Sequence, residues 1–461
     1  MTKTVDMTTG SAFRKIFFFS IPIAIGYFLQ QLYALGDSLI VSLSRGADAT
    51  TGVNLTGTLT FLILGFAQGI SVGFGIVLAQ YVGAKNETKM RNTVAVSLLL
   101  TVGVGILFTI LGLTLSRWIL TLLKTDALYI DYSTQYIQAI FSGMVFTLLY
   151  NLSDQIMRAM GDSKTPLLIL IFCAILNIGL NSLLFVTDLP VAWAGWATVI
   201  SQGVSAIVGY VIIFARFKNL RLKRQDFKTN FKFIAKLFAV GLPMAFQFSI
   251  TAIGCMIQQR AFNLLGDRFA MAQGTASKID SMFGCFMNGT GTAMATYCGQ
   301  NYGAKKLNRI KDGFKSALLV GVIFTAFSTG GAILTCRPLA YLLLPNVANE
   351  IYDITFSYVT TQACLYYFLF LIFMPRQAVQ AIGKSGTSVF GGVVELVLRF
   401  ITANTIIVWA GKAGAYFSNP IAWVGGAVFF VVTFIVRVKH LEKEWKSDKN
   451  EIVAVGIQNV A

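Results

Sequence analysis

The chain has 461 residues, of which 55% are hydrophobic and only 12% charged, with a mean hydropathy of +0.68; an ordinary soluble domain carries about a quarter charged residues. This balance describes a membrane protein and leaves connectors too short for a separate soluble catalytic or nucleotide-binding domain, which excludes ATP-driven transport within one chain. The net charge of +17 would suggest nucleic acid in a soluble protein, but in a membrane chain its distribution matters more.

A bilayer core about 30 Å thick needs about 20 apolar residues per helical span. The opening MTKTVDMTTGSAFRK lacks the short apolar stretch and small-residue cleavage site of a signal peptide and is expected to stay attached. After it, apolar stretches run at 14–44, 52–82, 92–120, 127–159, 165–187, 192–215, 232–265, 268–303, 313–336, 350–382, 386–410 and 414–436. The prediction is an all-α polytopic membrane protein with twelve transmembrane helices. With a cytoplasmic N-terminus, 27 of the 37 Lys and Arg lie on the cytoplasmic side and 6 outside, while Arg260, Lys278, Arg376 and Arg399 lie within spans. The positive-inside rule favours this orientation, with both termini in the cytoplasm. The densest basic stretch, 216–236 with its RFKNLRLKRQ run, follows the sixth span and is expected to meet anionic lipid headgroups rather than nucleic acid. Six cysteines are scattered singly without CxxC spacing, and the lone His440 sits in the tail, so no structural metal site or cofactor is expected.

The sequence is internally duplicated. QYVGAK at 80–85 returns as QNYGAK at 300–305, Pro22 matches Pro243, Gly46 matches Gly266, Gly69 matches Gly289, and Gly161 matches Gly383, with offsets of 220 to 222. The expected division is an N-terminal six-helix lobe at 1–217, a basic cytoplasmic linker at 218–231, a C-terminal six-helix lobe at 232–440 and a cytoplasmic tail at 441–461. Six spans per half give both halves the same topology, a parallel repeat of the kind used by secondary transporters.

The residues that carry the repeat resemble a known family. SIPIAIGYFLQQLYALGDSLIVS, QYVGAK, CGQNYGAKK and MRAMGDSKTP are similar to segments of the multidrug and toxic compound extrusion (MATE) family, in register from about residue 12 to 437. IGKSGTSVFGGVVELVLR further resembles the bacterial branch typified by the export protein MepA. The resemblance implies a V-shaped pair of six-helix bundles in the cell membrane, exporting organic, often cationic, compounds in exchange for inward H+ or Na+ by alternating access. Family members of one type carry an aspartate in span one and a second in span five, within N-x-x-x-D. Here the first is Asp37, while the fifth-span segment reads NIGLN, so Asn181 stands in the second aspartate's place and cannot titrate. Another branch carries acids in spans seven and ten, but residues 232–265 and 354–382 contain none here.

A carboxylate inside the membrane marks an ion or substrate pathway by default. Asp37 lies nine residues before Gly46, about 13 Å of helix from the outer end. Tyr33 stands one turn below it and Gln30 another turn below, so an acid, a phenol and an amide share one stripe that should face a cavity. In span five Asn177 and Asn181 are i, i+4 neighbours at similar depth. Asp37, Tyr33, Asn177 and Asn181 are therefore the expected cation-coupling group, able to take a proton, Na+ or a protonated amine; a purely structural hydrogen bond by Asp37 is the alternative. The second half offers Glu395 and Arg399 as an i, i+4 pair near mid-membrane, read equally as a clamp between helices or as a second coupling or substrate site. The repeat sets Cys173 opposite Glu395 and Asn177 opposite Arg399, so the halves should differ in function. Asp280 and the pair Asp154–Arg158 read first as structural, and Gln202, Gln247 and Gln258 as either substrate contacts or interhelical hydrogen bonds.

The leading functional class is a drug and cation antiporter, expected to be monomeric, with small organic cations as substrates. A flippase for a lipid-linked precursor of the same superfamily is the alternative. Enzyme activity has no support, because no metal-ligand cluster or nucleophile–base pair occurs.

Overall fold

The computed structural model describes residues 5–122 and 125–458; the first four residues and the last three of the expected tail lie outside these. The described chain is helical, with no strand among the described residues. In order the helices are α1 (Ala12–Leu55), α2 (Gly57–Gly83), α3 (Glu87–Leu122), α4 (Ile130–Ser142), α5 (Met144–Ala159), α6 (Lys164–Asn181), α7 (Leu183–Val186) and α8 (Ala192–Arg216). The second half contains α9 (Phe231–Asn263), α10 (Asp267–Gly303), α11 (Leu307–Leu343), α12 (Asn349–Cys364), α13 (Tyr366–Ala381), α14 (Thr387–Ile401) and α15 (Ile407–Gln458).

Among the described residues, eight helical runs are long and apolar enough to cross a bilayer, and the bent pairs α4–α5 (53°) and α12–α13 (50°) bring the number to ten. The remaining two of the twelve expected spans have physical reasons for escaping that test. Helix α10 is 37 residues long but rich in Gly, Thr, Ser and Asn. The eleventh and twelfth spans form one run, Thr387–Ser447, broken at Gly411 by a positive φ of 57°. A matching break occurs at Gly46, where φ is 82° and ψ −176°. This backbone is open to glycine and costly for a residue with a Cβ, so the first span ends there.

Two compact units are present: Met1–Val5, Pro22–Leu78 and Asn86–Met256 form unit 1, and Asp6–Ile21, Ala79–Lys85 and Ile257–Ala461 form unit 2. In unit 1, Leu59, Ile63 and Ala67 of α2 pack with Leu120, Ile137, Phe141, Met144 and Leu148 of α3, α4 and α5. Large side chains such as Trp118, Phe231 and Trp409 remain exposed, as lipid-facing positions require. Lipid tails are as apolar as leucine, so close packing and interhelical hydrogen bonds must hold the helices together.

The basic stretch after α8 is not an open loop. It contains short 3-10 turns at Lys218–Leu220 and Arg224–Phe227, and Asn92 of α3 donates to the carbonyls of Asp226 (2.8 Å) and Lys228 (3.0 Å). The buried Asp226 carboxylate lies 3.4 Å from Arg91.

In unit 2 the repeated motif holds the N-terminal segment. Met7, fully buried, donates its amide to Gln300 Oε1 at 3.0 Å and accepts from Asn301 and Arg309. Lys306 and Arg309 donate to the carbonyls of Thr8, Thr9 and Gly10. The two copies of the motif also meet at backbone level: a Cβ on Gly83 would strike the carbonyl of Gln300, and one on Gly303 would strike that of Gln80. Just beyond each glycine a lysine turns the chain with positive φ, Lys85 at 54° and Lys305 at 52°.

Candidate functional site

Apolar runs build α1, α6 and α8, and their few polar residues converge inside unit 1. Asn181, the last residue of α6, donates from Nδ2 to Asp37 Oδ1 at 2.8 Å and to Asn177 Oδ1 at 2.9 Å. Asn177 donates to Thr198 Oγ1 of α8 at 3.2 Å, and the Tyr33 hydroxyl reaches the same oxygen at 3.3 Å. Asn177 and Asn181 are fully buried, and Asn181 Oδ1 has no hydrogen-bond partner. A buried carbonyl oxygen without a donor beside a carboxylate is an arrangement that accepts a cation.

A cavity of about 380 Å³ opens onto this network, lined among others by Tyr33, Asp37, Asn54, Thr60, Tyr136, Thr198 and Gln202. Its described lining contains one ionisable carboxylate, Asp37, and no basic side chain. An ionised Asp37 therefore makes the cavity anionic, with aromatic and aliphatic walls from Tyr33, Tyr136, Phe61 and Leu64. Such a chamber suits a flat organic cation.

The expected coupling residues Asp37, Tyr33, Asn177 and Asn181 are thus brought together, and Gln202 reaches the same cavity while accepting from Thr147. Gln30 is not among the lining residues. Gln247 is buried in α9. Sequence reading missed Thr198 and Tyr136. Thr198 sits one turn from Gln202 on α8, but a threonine in a span commonly bonds its own i−4 carbonyl, as this one also does to Ala194, and so carries no clear signal.

Unit 2 holds the other candidates. Arg399 of α14 donates from Nη1 to Gln258 Oε1 of α9 and, at 2.6 Å, to Asn419 Oδ1 of α15; Asn419 in turn donates to the Tyr358 hydroxyl at 3.0 Å. No ion pair within 4 Å joins Glu395 to Arg399 among the described residues, and Glu395 Oε1 is buried without a hydrogen bond. Asp280 of α10 accepts from Tyr366 at 2.7 Å. Asp154 and Arg158 form the expected buried pair at 2.7 Å. The offset of 221 between Pro22 and Pro243 places Gln258 where Asp37 stands, and Arg399 is the counterpart of Asn177. The same pair of helices thus meets in both repeats, through an acid and amides in the first and through an amide and a guanidinium in the second. No group of three or more His, Cys, Asp or Glu able to hold a metal ion occurs among the described residues.

Comparison with known proteins agrees with this duplicated architecture. A family model described as MatE matches residues 22–183 and again 243–405. The probable multidrug resistance protein YpnP of Bacillus subtilis is 29% identical over 310 residues, 67% of this chain and 69% of that protein. YoeA of the same organism, also described as a probable multidrug resistance protein, is 24% identical over 454 residues, 96% of each chain. The multidrug export protein MepA of Staphylococcus aureus is 24% identical over 320 residues, 68% of this chain and 69% of MepA. Among solved structures, a MATE protein in complex with MaL6 superposes with a TM-score of 0.88 at 21% identity over 96% of this chain and 100% of that one. An outward-facing multidrug resistance MATE family transporter gives 0.88 at 21% identity over 96% and 99%.

Proposed function

Because this chain belongs to the MatE family of multidrug membrane transporters and is not an enzyme, we propose that it exports organic cations by alternating access in exchange for inward H+ or Na+, with Asp37 as the coupling group. The single observation that carries this reading is the lone carboxylate of the unit 1 cavity, tied to Asn181 at 2.8 Å beside an unpartnered amide oxygen. One acid cannot be neutralised twice. A proton or Na+ arriving at Asp37 removes the charge that holds a cationic drug, and the drug leaves. Asn181 Nδ2 orients the carboxylate and is itself held by Asn177, which Thr198 anchors, and Asn181 Oδ1 supplies a further oxygen for a hard cation. A lipid-linked phosphate would call for arginine or lysine in the chamber, and its described lining has neither.

The host is the cell membrane with both termini cytoplasmic, in keeping with the placement of Lys and Arg. The basic turns at 216–236 lie against anionic headgroups, at about 1 kcal/mol per charge. Removing three of those charges should weaken binding to phosphatidylserine vesicles; equal binding would remove the headgroup assignment.

The deciding experiment is ethidium efflux from proteoliposomes under an imposed proton or sodium gradient, comparing the parent chain with Asp37→Asn. The gradient that drives efflux names the coupling ion. Loss of gradient-driven efflux in folded Asp37→Asn protein is the expected result, and efflux that survives the substitution overturns the assignment.

A further inference from the structure

The tenth span is broken at Leu365, where α12 and α13 diverge by 50°. The first residue after the break is Tyr366, a fully buried phenol. Its hydroxyl donates to Asp280 Oδ1 of α10 at 2.7 Å, and its ring lies 6.4 Å from that of Trp423 in α15. A carboxylate within a span is thus fastened to the first turn of a bent helix. Around Asp280 stand Tyr366 from α13, with Tyr358 of α12 beside it, and Cys336 from α11. Lys278 is two residues away and points to another face, and no basic side chain lies within 4 Å of the carboxylate among the described residues. The charge on Asp280 therefore has one strong partner, the phenol at the bend.

The first repeat has the bend without the fastening. α4 and α5 diverge by 53° at Gly143, where Met144 is the counterpart of Tyr366 and Thr60 that of Asp280. A bent span consequently does not need an acid–phenol pair, and the pair in the second repeat calls for an explanation of its own.

We propose that Asp280 and Tyr366 form a proton-operated latch on the tenth span, in which the carboxylate holds the first turn of α13 and a proton on Asp280 releases it. A hydrogen bond to an ionised acceptor is roughly twice as strong as one between neutral groups, so protonation loosens the hold at the residue where the helix already breaks. The latch is a second proton-binding site inside unit 2, separate from the coupling role of Asp37 and independent of it.

Trp423 is the reporter. In the full-length chain in lipid nanodiscs, with Trp118, Trp193, Trp196, Trp409 and Trp445 replaced by Phe, Trp423 emission is recorded across a pH series. The expected result is a sigmoidal change in the parent that is lost in Asp280→Asn and in Tyr366→Phe but kept in Asp37→Asn. A flat parent profile, or a titration that persists in Asp280→Asn, overturns the latch, as does one lost only in Asp37→Asn. Tyr366→Phe decides the matter should Asp280→Asn fail to fold, because it keeps the carboxylate and removes only the link. Failure of Asp37 as the coupling group appears separately, as ethidium efflux that survives Asp37→Asn.

Discussion

Replacing Arg158 with methionine should destabilise unit 1 severely, whereas replacing both members of its ion pair should not. Arg158 and Asp154 lie one helical turn apart on α5 with side chains only 9% and 12% exposed, and their charged atoms meet at 2.7 Å. Asp154 Oδ1 and Arg158 Nε make no hydrogen bond, while the guanidinium reaches the Tyr27 hydroxyl at 3.5 Å and lies 5.6 Å from the centre of that ring. Removing the arginine leaves a buried carboxylate without its counter-charge, a change that costs about 3–5 kcal/mol. A domain of about the size of unit 1 shifts its melting temperature by roughly 2–4 °C per kcal/mol, so the apparent Tm should fall by about 6–20 °C. The double variant Asp154→Leu with Arg158→Met buries no charge and should return to within about 2 kcal/mol of the parent. Fluorescence-detected size exclusion after a heat ramp, on the parent, Arg158→Met and the double variant, measures all three. If the double variant melts as low as Arg158→Met, lost packing rather than an orphaned charge explains the effect and the reasoning fails.

Asn181→Leu removes both hydrogen bonds made by its Nδ2, one of them to Asp37. A bond to a charged group contributes about 1.5–3 kcal/mol, so the ion concentration for half-maximal efflux should move by roughly 10- to 100-fold; an unchanged ion dependence would count against the Asp37 network. Gly303→Ala puts a methyl group against the carbonyl of Gln80, with the amide of Ala84 at 3.1 Å. Because both obstacles are backbone, a loss of about 1–3 kcal/mol or more is expected, visible as reduced yield of monodisperse protein. Asp6 gives a pH prediction. Burial works against its charge, but hydrogen bonds from the Thr8 hydroxyl (2.7 Å) and amide (2.8 Å), with Lys15 and Lys306 nearby, hold its carboxyl below the ordinary range. A lowered native value means that its stabilisation is present above the unfolded value of about 3.9 and fades as pH falls through the native one. Amide exchange at Met7, corrected for intrinsic rates, should therefore rise in acid, and Asp6→Asn should show raised exchange already at neutral pH.

The spans were legible because apolar run length is a one-dimensional property. Even α10, too polar for a strict hydropathy criterion, was long enough between its flanking polar joints to be read as a span. The polar cluster around Asp37 was legible for a related reason: depth along a helix follows from residue number, so Asp37 and Asn181 could be matched although 144 residues separate them. Depth says nothing about which helix faces which. Thr198, bonded to a tyrosine 165 residues away, became a hub only when α8 was seen against α1 and α6. The i, i+4 rule likewise proposed Glu395 as the partner of Arg399. An arginine is long enough to reach across to another helix, and its guanidinium binds Gln258, 141 residues earlier, and Asn419 instead. The basic stretch at 216–236 looked like a plain linker because its positive charges obscured one buried acid, Asp226, which with Asn92 pins it to α3.

The twin lysines after the repeated motif offer a handle for engineering. Lys85 and Lys305 both adopt a left-handed backbone that glycine takes without penalty, and a residue with a side chain held there gives up about 1 kcal/mol or more. Each lysine closes the C-terminal end of a long helix, where a positive charge recovers about 0.3–1 kcal/mol by facing the helix dipole. The two effects nearly balance at low ionic strength, and salt screens only the second. Lys85→Gly should therefore be close to neutral in dilute buffer and stabilising at high salt, which makes this turn a natural starting point for a more thermostable form of the protein.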